Sequence, residues 1–154
     1  VKTSRRELLV LSAVAAVAGL GCHRDSGTAG VQPLPRMAPS DLAAQLDRVR
    51  DGAIDVLHVG PAYLFGKARV PHSRHAGEAS TGDGYAAIVA ELRKLPPDRD
   101  VVLYCGCCPT THCPNIGPAQ RAAREVGLRR ARLLDLPTNL RTDWIAHGYP
   151  VEKG

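Results

Sequence analysis

Hydrophobic and polar positions along the chain follow two alternating periods. Leu42, Leu46 and Val49 recur at helical spacing, with Ser40 ahead of them as a candidate N-cap and Gly52 behind as a stop. The run Ile54-Asp55-Val56-Leu57-His58-Val59 reads as a buried strand ended by Gly60-Pro61, and a second short strand is expected near Ser73–Ala76. After the Gly82–Gly84 turn, Tyr85, Ile88, Val89, Leu92 and Leu95 line one helical face, and Pro96-Pro97 stops that helix. Val101-Val102-Leu103-Tyr104 carries no charge, as expected of a strand in the middle of a parallel sheet. Pro118–Val126 predicts a helix whose inner face is small (Ala119, Ala122, Ala123), with Gly127 as its C-terminal cap. Ala131–Leu136 is the next strand. Thr138–His147 is a last helix, with Leu140, Trp144 and Ile145 inward and Gly148 closing it.

Strands alternating with helices predict an α/β domain over residues 40–154, with a central, mostly parallel sheet covered by helices on both faces. Sites in such folds lie at the carboxyl ends of strands. The segment after Val101–Tyr104 is therefore the first place to look for chemistry.

The N-terminal pattern differs. Lys2, Arg5 and Arg6 form a basic head, Leu8–Leu20 is an uncharged stretch, and small residues lead to Cys22. Residues 1–21 thus predict an export signal peptide, too short for a membrane span of about 18 residues or more. Ser4-Arg5-Arg6-Glu7-Leu8-Leu9 resembles a twin-arginine export motif, and Gly19-Leu20-Gly21-Cys22 resembles a lipobox. The expectation is a lipoprotein of the bacterial periplasm or cell envelope, with Cys22 lipidated and the membrane contacted only through that anchor. Residues 22–39, rich in Gly and Pro without period, read as a flexible tether.

Composition narrows the class. The 154 residues fit one domain, and 44% hydrophobic side chains exclude a disordered chain. A two-domain enzyme, a fibre and a polytopic membrane protein are excluded too. The formal net charge of +5 is dispersed and aromatic residues are few (4%), which argues against a nucleic-acid partner. It favours a surface with some attraction to small anions or lipid head groups.

Four of the five cysteines fall in Cys105-Gly106-Cys107-Cys108-Pro-Thr-Thr-His112-Cys113. The flanking Gly, Pro, Thr and Asn are turn-formers, so these thiols are read as reactive groups on a loop rather than as core packing. The thiolate is the nucleophilic form, and a loop opening onto a helix N-terminus favours it. His112 and Arg121 are expected to add positive charge.

Strand, Cys105, loop, Ala-rich helix, then Leu133-Leu134-Asp135-Leu136 and Trp144-Ile-Ala-His-Gly148-Tyr149-Pro150-Val151 together resemble a single-domain rhodanese, and Val70-Pro71 sits where that family has an Ile-Pro turn. The resemblance covers residues 40–154. It implies a rhodanese-like fold and a thiosulfate-sulfurtransferase type of enzyme without a cofactor. Cys105 would be the nucleophile that carries sulfane sulfur as a persulfide from a small sulfur-containing anion to a thiol or cyanide acceptor. Gly106, His112 and Arg121 would then bind substrate, and Cys107, Cys108 and Cys113 would support or resolve the persulfide. The loop departs from the family pattern in being several residues longer and in having no Arg between Cys105 and Gln120.

Two other readings use the same loop. Cys105–Cys108 is a C-x-x-C, which suits thiol–disulfide chemistry in an oxidising compartment. Cys105, Cys107, Cys108, His112 and Cys113 are also a ligand set for Zn or Cu in a non-catalytic metal-binding or carrier domain. Elsewhere, His58 is expected to be a hydrogen-bonded core histidine, Trp144 core packing, and Arg129, Arg130 and Arg132 a solvated connection.

Overall fold

The computed structural model describes residues 32–154. The expected signal peptide, Cys22 and the first part of the tether lie outside the described residues. Strands β1 (Arg36–Met37), β2 (Ile54–His58), β3 (Arg74–His75), β4 (Asp100–Tyr104) and β5 (Arg130–Leu134) form one all-parallel sheet in the order β1-β5-β4-β2-β3. Helices α1 (Pro39–Ala43), α2 (Leu46–Arg50), α3 (Ala62–Lys67), α4 (Gly82–Leu92), α5 (Ile116–Glu125) and α6 (Leu140–Asp143) flank it, and a short 3-10 turn follows at Ile145–His147. The α/β class with a parallel sheet is as expected. Among the described residues, no helix is long and apolar enough to cross a membrane.

Alternation along β4 organises the core. Val101, Leu103 and the following Cys105 pack with Leu57, Val59 and Leu133 against Ile88 and Leu92 of α4 and the alanines of α5. Val102 and Tyr104 point the other way, joining Ile54, Val56 and Leu134 with Leu42, Val49, Leu140 and Trp144. Strand β4 pairs on one side with β2 and on the other with β5, and all five of its residues are buried. Each fully buried Val or Leu there contributes about 1.5–3 kcal/mol of transfer free energy, so the strand that carries the site is also the best anchored. The small inner face of α5 (Ala119, Ala122 and Ala123, all fully buried) lets that helix lie close to the sheet.

The structure corrects several boundaries. The segment read as a tether to residue 39 already belongs to the domain: Leu34 and Met37 are buried, and β1 pairs in parallel with β5. A two-residue strand after Pro33-Leu34-Pro35 is too short to show a period. The first helix is two short ones, α1 and α2, with Pro39 near its start and no side-chain cap from Ser40. Helix α3 follows Pro61 where only a stop was expected. Arg130 and Arg132 are not merely solvated: both bond the buried Asp100 carboxylate, at 2.8 and 3.0 Å. That charge cluster sits at the start of β4. The cysteine loop sits at its end.

Candidate active site

Strand β4 delivers Cys105 to the carboxyl edge of the sheet, where Gly106 turns the chain with φ +81°. An L side chain would be strained at that φ, and its Cβ would crowd Leu140 at 3.0 Å. The loop is then pinned from the segment that follows β5. Thr110 N–H donates to Leu136 O (2.9 Å), and Leu136 N–H donates to Thr110 Oγ1 (2.8 Å). Leu140 N–H donates to Gly106 O at 3.1 Å, which ties the loop to α6. Asn115 precedes α5, yet its side chain does not cap the helix. Its Oδ1 accepts from Ser80 N–H (2.9 Å), and its Nδ2 donates toward Cys105 Sγ (3.5 Å).

Four free sulfurs meet here. Cys107 Sγ lies 3.2 Å from Cys105 Sγ, 2.9 Å from Cys108 Sγ and 3.7 Å from Cys113 Sγ. Cys105 and Cys113 are buried, and Cys107 is exposed. The cluster settles its charge unevenly. Cys113 is pulled down to about 5, first by the neighbouring Cys105 thiol, against the opposing effect of burial, then by the N–H of Asn115 and the thiols of Cys107 and Cys108. Cys105, whose S–H donates to Cys107 Sγ at 3.2 Å, is pushed up, first by the neighbouring Cys113 sulfur and then by burial, although the N–H of Cys107 opposes this. Cys108 is also raised, by burial first. The shifts belong to the thiol cluster as a whole: Cys113 is lowered and Cys105 raised, the reverse of the depressed Cys105 expected from the loop.

Although only 3% exposed, Cys105 lines a cleft of about 370 Å³. His58 and Gly106 share its floor, Leu64, Ala68, Leu140 and Ile145 form apolar walls, and Lys67 and Arg141 supply cations. Neither cation is salt-bridged to a carboxylate among the described residues. His58 is buried and held neutral, its pKa lowered to about 4 chiefly by desolvation. Its Nδ1 accepts from Gly60 N–H at 3.4 Å. Gly60 itself leaves the space that Cys105 Sγ occupies: a Cβ there would overlap the sulfur.

Two expected participants stand elsewhere. Arg121 is on the exposed side of α5, opposite its alanines, with its guanidinium 5.4 Å from the Tyr85 ring centre. His112 is exposed and bonds Thr111 Oγ1 at 2.8 Å. Neither lines the cleft. Lys67, Arg141 and Asn115 were not singled out by sequence, because the first two come from separate helices and Asn115 reads as an ordinary turn residue. The Pro61 that opens α3 was the available signal for Lys67. For a soft metal ion, Cys105, Cys107 and Cys113 offer sulfurs all within 4.8 Å of one another. That donor set suits Cu⁺ or Zn²⁺, with Cys108 and His112 of the expected ligands outside it.

No protein-family model and no curated protein matches the chain. Solved structures do. A rhodanese-like domain from Anabaena sp. aligns with TM-score 0.54 at 18% identity, over 78% of this chain and 80% of that one. A single-domain sulfurtransferase from Saccharomyces cerevisiae gives 0.53 at 14% identity, over 76% and 93%. A Bacillus halodurans protein gives 0.57 at 16%, over 77% of each chain. The fold is rhodanese-like. At these identities the likeness concerns the fold alone.

Proposed function

We propose that the protein is a sulfurtransferase that carries sulfane sulfur on Cys105. One observation carries this reading: Cys105 Sγ, at the end of the central strand, lines a cleft with two cations while a backbone N–H and the Asn115 amide reach the same atom. A small sulfur-containing anion such as thiosulfate is attracted by Lys67 and Arg141, and its outer sulfur meets Cys105. As the new S–S bond forms, the Cys105 proton moves through Cys107 Sγ, which accepts from Cys105 at 3.2 Å, to the Cys113 thiolate 3.7 Å further on. The bond between the two sulfurs of the donor breaks, and its electron pair leaves with sulfite. Cys105 then holds a persulfide, stabilised by the N–H of Cys107 and by Asn115. A thiol or cyanide attacks the outer sulfur, and Cys105 recovers its electron pair and then its proton. No external oxidant or reductant is needed.

Intact mass after incubation with thiosulfate tests the reading. The reduced chain gains one sulfur, and Cys105→Ser gains none. A chain that gains none in either form, yet arrives with stoichiometric zinc or copper, would replace the enzyme with a metal-binding domain. The export pattern of residues 1–21 supports the further reading that this chemistry takes place outside the cytoplasm, with Cys22 as the lipid anchor. Membrane fractionation of cells carrying the wild type and Cys22→Ser tests this, the variant being released into the soluble fraction.

A further inference from the structure

The cysteine cluster touches two cavities. Cys105 lines the cleft that holds Lys67 and Arg141. Cys113 lines a second cavity of about 310 Å³, with Arg36, Thr110, Thr111 and Gln120 among its walls. The two have no described lining residue in common, and Cys107 lines neither. Cys107 is the sulfur that lies between: it is exposed, 3.2 Å from Cys105 Sγ and 3.7 Å from Cys113 Sγ. The cavities also differ in charge. The cations of the first are free of carboxylate partners among the described residues, whereas the Arg36 guanidinium of the second is held by Asp135 at 2.9 Å.

We propose that the loop is a sulfur relay, in which Cys107 takes the outer sulfur from Cys105 and passes it to Cys113, which gives it to a thiol acceptor in the second cavity. This rests on the sulfurtransferase reading. A persulfide puts its outer sulfur about 2.05 Å beyond Cys105 Sγ, within reach of the exposed Cys107 side chain. Cys107 Sγ bonds to that outer sulfur while the bond to Cys105 Sγ breaks. The electron pair of the broken bond stays on Cys105, which takes up the proton that Cys107 gives up. The step from Cys107 to Cys113 repeats this exchange, so thiol and persulfide only change places and no net oxidation occurs. The anionic donor and the anion it leaves use the cation-lined cleft. The acceptor, a small thiol without a required negative charge, comes to the other side of the sulfur chain.

The test uses the full reduced chain, a single equivalent of thiosulfate, alkylation at successive times, and fragmentation mass spectrometry of the loop peptide. In the wild type the added sulfur is found first on Cys105, then on Cys107 and Cys113. In Cys107→Ser, which keeps the backbone N–H, it stays on Cys105, and turnover with L-cysteine as acceptor falls about a hundredfold, the usual cost of losing a positioned reactant. Should that variant fail to fold, the wild-type time course decides alone. Added sulfur confined to Cys105 in the wild type while L-cysteine turns over would overturn the relay and leave the sulfurtransferase reading standing. Sulfur reaching Cys113 as readily in Cys107→Ser would also overturn it. No added sulfur at any position would remove both.

Discussion

Replacing Gly60 by Ala tests the site through one methyl group. Gly60 lies two residues past the end of β2, and a Cβ on it would overlap Cys105 Sγ while lying 3.2 Å from His58 Cε1 and 3.5 Å from Cys105 Cβ. Its φ lies outside the left-handed region, so the substitution acts by space and not by backbone strain. The sulfur cannot retreat easily: β4 is held by β2 and β5, and the Cys105 side chain is packed among Cys107, Asn115 and the α5 face. Overpacking of this kind costs about 1–3 kcal/mol. A cost near 2 kcal/mol lowers the folded-to-unfolded ratio by about 30-fold, with an unchanged denaturant slope. The rate of sulfur loading should fall further than stability alone explains, because the displaced atom is the nucleophile. Gly66→Ala is the matched control. It makes the same chemical change inside α3, where a Cβ meets nothing within 4 Å, and should be neutral or stabilise by about 0.5–1 kcal/mol. Urea unfolding and the thiosulfate loading rate, measured on both variants, decide the matter. Wild-type loading by Gly60→Ala would refute the placement of Cys105 against Gly60.

Asn115→Ala should cost about 1–3 kcal/mol in urea unfolding, because Ser80 N–H loses its buried acceptor, and should slow sulfur loading. Asn115→Asp keeps that acceptor but places a carboxylate beside Cys105, so a persulfide there should form more slowly than in wild type. Lys67→Ala and Arg141→Ala should each raise KM for thiosulfate about two- to fivefold, as for an exposed ion pair, and the effect should shrink in high salt. An equal effect with an uncharged donor would refute their role. For pH, the sign follows from protons bound. Cys113 is depressed to about 5, so between that pH and about 9 the folded cluster carries a negative charge that the unfolded thiols lack, and stability rises with pH. Above that range the unfolded thiols ionise while Cys105 and Cys108 keep their protons, and stability falls. Urea midpoints across pH should show the rise in wild type and not in Cys113→Ser, with thiolate absorbance in the ultraviolet titrating near pH 5 only when Cys113 is present.

Apart from β1, α3 and the split of the first helix, the alternation of strands and helices and the delivery of Cys105 to a strand end could be read from the sequence, because periodicity and turn residues are local signals. Gly52, Gly127 and Gly148, expected as helix stops, all have φ near +75°, the left-handed conformation that only glycine adopts without strain. What folding alone decided is which groups meet. Lys67 and Arg141 come from helices α3 and α6, far apart in the chain, and share a cleft only because both helices lie beside the carboxyl edge of β4. Arg121, close to Cys105 in sequence, turns outward because the alanines of α5 claim the inner face. Asn115 works on Cys105 because Ser80 orients its amide from across the domain. The acidity likewise depends on tertiary geometry: four thiols in one loop are chemically equivalent on paper, and only their separations and burial pull Cys113 down and push Cys105 up.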